Sequence, residues 1–414
     1  MLALLFVAAC SSNGSDSNTT DTPQATGDIA AESATAEATV APFTTADEPC
    51  QPFDLIDDVL LSPVDENVPA VTDADLSYGS ADAKYTIITY SNFTCSHCAN
   101  LEPVLETLQQ WYPQDVRIVF RYVTTGGVST IAAQAAEAAN NQGKFNEMKD
   151  ALFANQATWY YYSEDEFRTW LGDQATAFGM DVDQFNTDMV DENLLNKITF
   201  NRSQVDDLGI TGTPTLYVND RQYSPDQYRN IYTLATMVNV MNIADKKLGS
   251  CPTVDTNFTK DLQAVISTGK GDIVVDLYED SAPYTVAYFK YLADSGWYNN
   301  NEFFESTDEY AISGDPSNTQ YGGPGFVFYN EYTAEQTLDE GGLLVSFNRL
   351  GTGYNSGLFM LTKTAVADFS GDLTVFGKVV EGMDVLNALT DRLYSLNPAD
   401  PFYDSISSIT IVEK

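Results

Sequence analysis

Cys95-Ser96-His97-Cys98 is the group of residues in this chain best suited to chemistry, and two cysteines at that spacing suit thiol–disulfide exchange. Tyr85 to Tyr90 reads as a β-strand, and Ala99 to Trp111 reads as an amphipathic helix with Leu101, Val104, Leu105 and Leu108 on one face. Cys95 therefore falls at a helix N-terminus, where partial positive charge and free N–H groups favour a thiolate. It is the expected nucleophile. Cys98, one turn further in, is placed to resolve a mixed disulfide. His97, the only histidine in the chain, can add positive charge beside the sulfurs when protonated. The competing use of paired cysteines is a structural zinc site, which takes four ligands. No second pair at the usual spacing occurs here, so no metal and no other cofactor is expected.

The surrounding pattern supplies the elements that must hold these thiols. A second strand, Val116 to Tyr122, follows at the spacing of a βαβ unit, and residues 129–207 carry mainly helical patterns. Thr215 to Val218 returns to strand, and Tyr228 to Lys246 reads as a closing helix. After Cys251 the pattern changes to two strands joined at Gly269-Lys270-Gly271, a helix from Thr285 to Ser295, many short strands with glycine turns, and a late helix from Gly382 to Arg392. The aromatic run Trp159 to Tyr162 suits either core and rim packing or a sticky surface.

The chain has 414 residues, a two-domain length. Its 59 acidic and 20 basic residues give a net charge of −39, which repels phosphate backbones and excludes nucleic acid as an expected partner. The apolar run Leu2 to Ala9 is far shorter than the roughly 20 residues of a membrane span and suits a signal segment over residues 1–9. Its end, Val7-Ala8-Ala9-Cys10, resembles the lipobox of bacterial lipoproteins, which implies that Cys10 takes a lipid and tethers the protein to a membrane outside the cytoplasm, in the cell envelope. Residues 10–49 are polar, with no basic residue, and suit an extended acidic tether.

Two stretches resemble known families. Cys95-Ser-His-Cys-Ala-Asn-Leu-Glu-Pro103 resembles the active-site helix of the thioredoxin fold, and its Cys-x-His-Cys form resembles the DsbA-type thiol oxidoreductases. Gly209-Ile-Thr-Gly-Thr213-Pro214 is similar to the cis-proline segment of that family. The resemblance implies that Thr213 and Pro214 face the active cysteines and bind substrate peptide. Two departures stand out: Thr89 occupies the position of the family's acidic residue, and Asn92 stands where related sequences often have Asp. Cys50 and Cys251, left over in an exported chain, are expected to pair as a structural disulfide, with a second redox pair as the alternative.

Residues 258–414 resemble the cyclophilin-type peptidyl-prolyl isomerases through Thr268-Gly-Lys-Gly-Asp-Ile-Val-Val-Asp-Leu-Tyr278, Gly314-Asp-Pro316, Gly322-Gly-Pro-Gly325 and Val375-Phe-Gly-Lys-Val-Val-Glu-Gly-Met-Asp384. The family's isomerase site is altered. Glu305 replaces its arginine, Tyr310 a phenylalanine, and Ser313 a glutamine. Leu358 and Met360 fall in its Gln-Phe-Phe segment, Asp368 and Leu373 at aromatic or histidine positions, and Phe347 at a small alanine. Asn348 is kept, and Arg349 is the nearby cation that could substitute. The expected architecture is an α/β thioredoxin-like domain with a helical insertion over 50–251, then a cyclophilin-like β-barrel with two helices over 258–414. The expected function is a thiol–disulfide oxidoreductase acting on cysteine-containing client proteins and recharged by a redox partner, with a second domain that binds or presents peptide. The alternatives are a prolyl isomerase with an auxiliary redox domain and a non-enzymatic folding chaperone.

Overall fold

The computed structural model describes residues 49–329, 331, 337–346, 354–366, 373–402 and 404–414. Cys10, Phe347, Asn348, Arg349 and Asp368 lie outside the described residues. Among the described residues no helix is long and apolar enough to cross a membrane.

The first domain is built on a six-stranded sheet. Its strands are β2 (Leu61–Val64), β3 (Leu76–Gly79), β4 (Tyr85–Ser91), β5 (Val116–Tyr122), β6 (Thr215–Val218) and β7 (Arg221–Tyr223), in spatial order β2-β7-β6-β4-β5-β3. β4 and β5 read as near-continuous Val, Ile, Tyr and Phe because both faces of these central strands are buried. They run parallel, joined by helix α1 (Ser96–Trp111), which returns the chain across one face. Leu101, Leu105 and Leu108 recur at helical spacing and bury against Ile87, Ile118 and Leu216 in one apolar cluster. The helical insertion comprises α2 (Val128–Asn140), α3 (Phe145–Ala154), α4 (Gln156–Trp159), α5 (Glu164–Ala177), α6 (Val182–Asp188) and α7 (Glu192–Asp207), with α8 (Ile231–Asn242) closing the domain. Within the aromatic run, Trp159 is fully buried and stacks on Phe167, whereas Tyr161 is exposed. Packing and surface roles are thus divided inside one run.

The second domain curls a nine-stranded sheet around an apolar core. Its strands are β8 (Leu262–Thr268), β9 (Gly271–Leu277), β10 (Asn301–Glu302), β11 (Glu305–Ser306), β12 (Tyr310–Ser313), β14 (Leu343–Ser346), β16 (Phe359–Thr362), β17 (Thr374–Glu381) and β18 (Ser405–Glu413), ordered β10-β18-β8-β9-β17-β14-β16-β12-β11. The two edge strands are neighbours in sequence, which bends the sheet towards closure. Helix α9 (Pro283–Asp294) packs Val286, Phe289 and Leu292 into the core. The late helix is shorter than the pattern suggested. α10 spans only Met383–Asn387, because the Thr390 N–H is taken by the Asp404 carboxylate at 2.6 Å and Arg392 pairs with Ser306, drawing the chain out of the helical path.

The boundary between the domains also differs from the expectation. β1 (Cys50–Pro52) joins a three-stranded sheet with β13 (Phe326–Tyr329) and β15 (Tyr354–Asn355) of the second domain. The Cys50–Cys251 disulfide is present, with Cα atoms 5.9 Å apart, and both cysteines pack against the second domain's core. The first domain is therefore a loop tied at its base to the second. The Leu248 and Gly249 N–H groups donate to the Pro324 carbonyl at this junction. Gly325 has φ +99°, and a Cβ there would lie 2.6 Å from the Gly249 carbonyl oxygen, so only glycine allows the approach.

Candidate active site

Sheet geometry brings the two distant motifs together. β4 and β6 are antiparallel, with Tyr90 opposite Thr215, so the loop leaving β4 and the segment entering β6 meet at one end of the sheet. The first carries Cys95 and the second carries Thr213 and Pro214, joined by a cis peptide bond. The Cys95 thiol donates to the Thr213 carbonyl oxygen at 3.3 Å across 118 residues of sequence. Asn92, at the departing position, accepts hydrogen bonds from Thr94 and from the Ser129 hydroxyl and shapes the loop.

The two thiols are free and unequal. Cys95 is the N-cap of α1 and half-buried; Cys98 is 1% exposed. Burial alone pushes the Cys95 thiol up, but the Thr213 side chain, the Cys98 N–H and thiol and the His97 N–H favour its thiolate and leave it lowered overall. Burial pushes Cys98 up to about 12, opposed only in part by Ser91 and the Asn92 backbone. His97 is exposed beside them.

This asymmetry predicts selective alkylation. Because a lowered pKa keeps the thiolate populated as pH falls, iodoacetamide should label Cys95 first, with a rate whose midpoint in pH lies below that of an ordinary thiol. Cys98 should stay unlabelled below about pH 10. Peptide mapping after timed labelling checks this, and earlier modification of Cys98 would contradict it.

Other groups surround the two thiols. Thr89, at the family's acidic position, is buried on β4. A carboxylate does lie inside the domain, one turn beyond Cys98: Glu102, 4% exposed, pairs with the buried Lys149 ammonium at 3.0 Å and accepts from the Tyr78 hydroxyl at 2.9 Å. Beside Thr213 opens a cavity of about 590 Å³, walled by His97, Asn100, the segment Gly209–Thr215, Gln222 and Arg229.

In the second domain the altered residues converge. Tyr310, Leu358, Met360 and Leu373 meet Phe304 and Val345 in one apolar cluster on the sheet face opposite the main core. Glu305 is buried beside them; the Tyr310 hydroxyl donates to its carboxylate at 2.8 Å and the Gln320 amide at 3.4 Å. Ser313 is also buried and donates to the Glu302 carbonyl at 2.8 Å.

Comparison with known proteins fits this two-part architecture. The family profile described as cyclophilin type peptidyl-prolyl cis-trans isomerase/CLD matches residues 263–410. The probable peptidyl-prolyl cis-trans isomerase A of Mycobacterium bovis is 31% identical over 184 residues, covering 40% of this chain and 100% of that protein. The chain belongs to the cyclophilin-type peptidyl-prolyl isomerase family. Ahead of this cyclophilin domain, the profile described as Thioredoxin matches residues 71–234, and that segment is a thioredoxin domain. The Na(+)/H(+) antiporter NhaA 3 of Salinispora tropica is 34% identical over 164 residues, or 39% of this chain. The chain spans about a quarter of that antiporter's length, 24%. Among solved structures, Wolbachia pipientis alpha-DsbA1 is 22% identical, covering 42% of this chain and 93% of that one with a TM-score of 0.37. A Cryptosporidium parvum cyclophilin type isomerase is 24% identical, covering 37% and 99% with a TM-score of 0.32.

Proposed function

We propose that the chain is an extracytoplasmic thiol–disulfide oxidoreductase that oxidises cysteine-containing client proteins, held at the membrane by a lipid on Cys10. The observation that carries this reading is the pairing of Cys95, whose thiol reaches the Thr213 carbonyl across the fold and whose pKa is lowered, with a buried Cys98 whose pKa is pushed up to about 12. A client thiolate attacks the Cys95 sulfur of the Cys95–Cys98 disulfide, the S–S bond breaks, and Cys98 leaves with the electron pair and takes a proton. A second client thiolate then attacks the client sulfur of the mixed disulfide and displaces Cys95 as a thiolate. The client loses two electrons and gains a disulfide. A separate redox partner that carries a disulfide restores Cys95–Cys98 by the same exchange and is itself reduced to a dithiol. Stabilising the Cys95 thiolate favours the reduced enzyme, which supports the oxidising direction of exchange. The test is transfer of a disulfide from the oxidised full chain to a reduced dithiol peptide.

Family membership supports a second reading, prolyl isomerisation by the cyclophilin domain. That chemistry needs a donor to engage the proline amide while a barrier of ~18–20 kcal/mol falls, and Glu305, in the place of the family's arginine, accepts hydrogen bonds from Tyr310 and Gln320. A prolyl-peptide assay on the full chain is expected to show a rate at background, and Glu305→Arg is expected not to restore it, because Tyr310, Leu358, Met360 and Leu373 fill the adjacent space. Turnover by the unaltered chain at the rate of an active cyclophilin would promote this reading.

A further inference from the structure

The cavity beside Thr213 has an electrostatic character opposite to the rest of the molecule. Acidic residues outnumber basic ones by 59 to 20 over the chain, yet no Asp or Glu lines this cavity. Its walls contain His97 and Arg229 instead. Arg229 is half-buried just before the first turn of α8, and among the described residues its side chain makes no ion pair or hydrogen bond; its Nε is buried without a partner. Other buried cations in this domain are paired: Arg121 meets Asp75 at 3.0 Å and Lys149 meets Glu102 at 3.0 Å. Asp226, close in sequence to Arg229, is exposed and does not line the cavity. A partly desolvated guanidinium left without an anion costs free energy, and a carboxylate brought to it by a ligand recovers that cost in a bidentate contact.

Resting on the oxidoreductase reading above, we infer that Arg229 is a specificity-determining residue that selects client segments carrying a carboxylate near the reacting cysteine. A client sulfur joined to Cys95 brings its neighbouring residues past Thr213 into the cavity that Arg229 walls. In a chain of net charge −39, long-range repulsion opposes an acidic client, so a local cation at the point of exchange is what admits one.

The experiment uses the oxidised full chain and amidated dithiol peptides that differ only within three residues of one cysteine, bearing Glu, Gln or Lys. A fourth peptide is neutral and ends in a free carboxylate. An uncharged disulfide, hydroxyethyl disulfide, is exchanged with the reduced chain in parallel. The expected result is a Glu-to-Lys preference in kcat/KM of about tenfold, shrinking at high salt, as for a partly buried ion pair. Arg229→Gln should bring that ratio close to one, Arg229→Glu should invert it, and Arg229→Lys should keep part of it. Preference for the fourth peptide over Glu assigns the site to a chain terminus, and the reverse assigns it to a side chain; either supports a carboxylate site. Equal rates for all peptides, or a preference that survives Arg229→Gln, would overturn the inference while exchange of the uncharged disulfide persists. Loss of that exchange in the unaltered chain would remove the oxidoreductase reading itself.

Discussion

Cys95→Ser is expected to lower disulfide transfer to a dithiol peptide by at least about a thousandfold, whereas the reduced Cys98→Ser chain, mixed with a client that carries a disulfide, should stall with the client bound covalently through Cys95, whose thiolate has displaced one client sulfur as a thiolate. The two outcomes differ because the two sulfurs occupy different environments. Cys95 is the half-buried N-cap of α1 and meets the client; Cys98 is buried with Phe93 and Ile131 beside its partner sulfur. With serine at 98, no internal thiolate can attack Cys95 and release the client, so the mixed disulfide accumulates. Mass spectrometry of the non-reduced mixture reads both results. Equal adducts with either variant would mean that the sulfurs are interchangeable and the geometry irrelevant.

Loss of the Cys50–Cys251 bridge is the second large effect. The two cysteines are 201 residues apart, and closing a loop of that length in the unfolded chain corresponds to about 5 kcal/mol in the chain-entropy model. The bridge also holds β1 against β13, so its removal frees the pairing that seats the thioredoxin domain on the cyclophilin domain. Cys50→Ala with Cys251→Ala is expected to shift the denaturation midpoint strongly downwards, and to separate the unfolding of the two domains into distinct steps. A midpoint equal to that of the bridged chain would show that the bridge contributes nothing. The double variant is the right comparison, since a single change leaves a stray thiol beside the redox pair's chemistry.

The parts of the site that were legible in the sequence are those whose meaning is local. Cys95 and Cys98 lie one helical turn apart, with Leu101, Leu105 and Leu108 continuing the buried stripe, so strand, motif and helix could be read in order. Thr213 and Pro214 were legible through resemblance, and the antiparallel pairing of β4 with β6 supplies the physical reason they meet Cys95. What stayed hidden depends on partners far away in sequence. Glu102 is a charge on the buried side of a helix, which periodicity alone reads as an error until Lys149 is seen against it. Arg229 looks like any surface arginine until the walls around it are found to hold no acid. A three-residue strand such as β1 has no pattern of its own, and its pairing with β13 is decided by the second domain. The short α10 was misread because the competing bonds of Thr390 and Arg392 come from Asp404 and Ser306, elements elsewhere in the sheet.

The most direct measurement of the central claim is disulfide transfer under anaerobic conditions between the fully oxidised chain and one equivalent of a reduced dithiol peptide, with both partners quenched by alkylation and counted by mass. The account predicts one peptide disulfide formed for each Cys95–Cys98 disulfide lost, with Cys50–Cys251 retained throughout. Peptide thiols unchanged after hours beside an intact Cys95–Cys98 disulfide, or reduction of Cys50–Cys251 in its place, would contradict it.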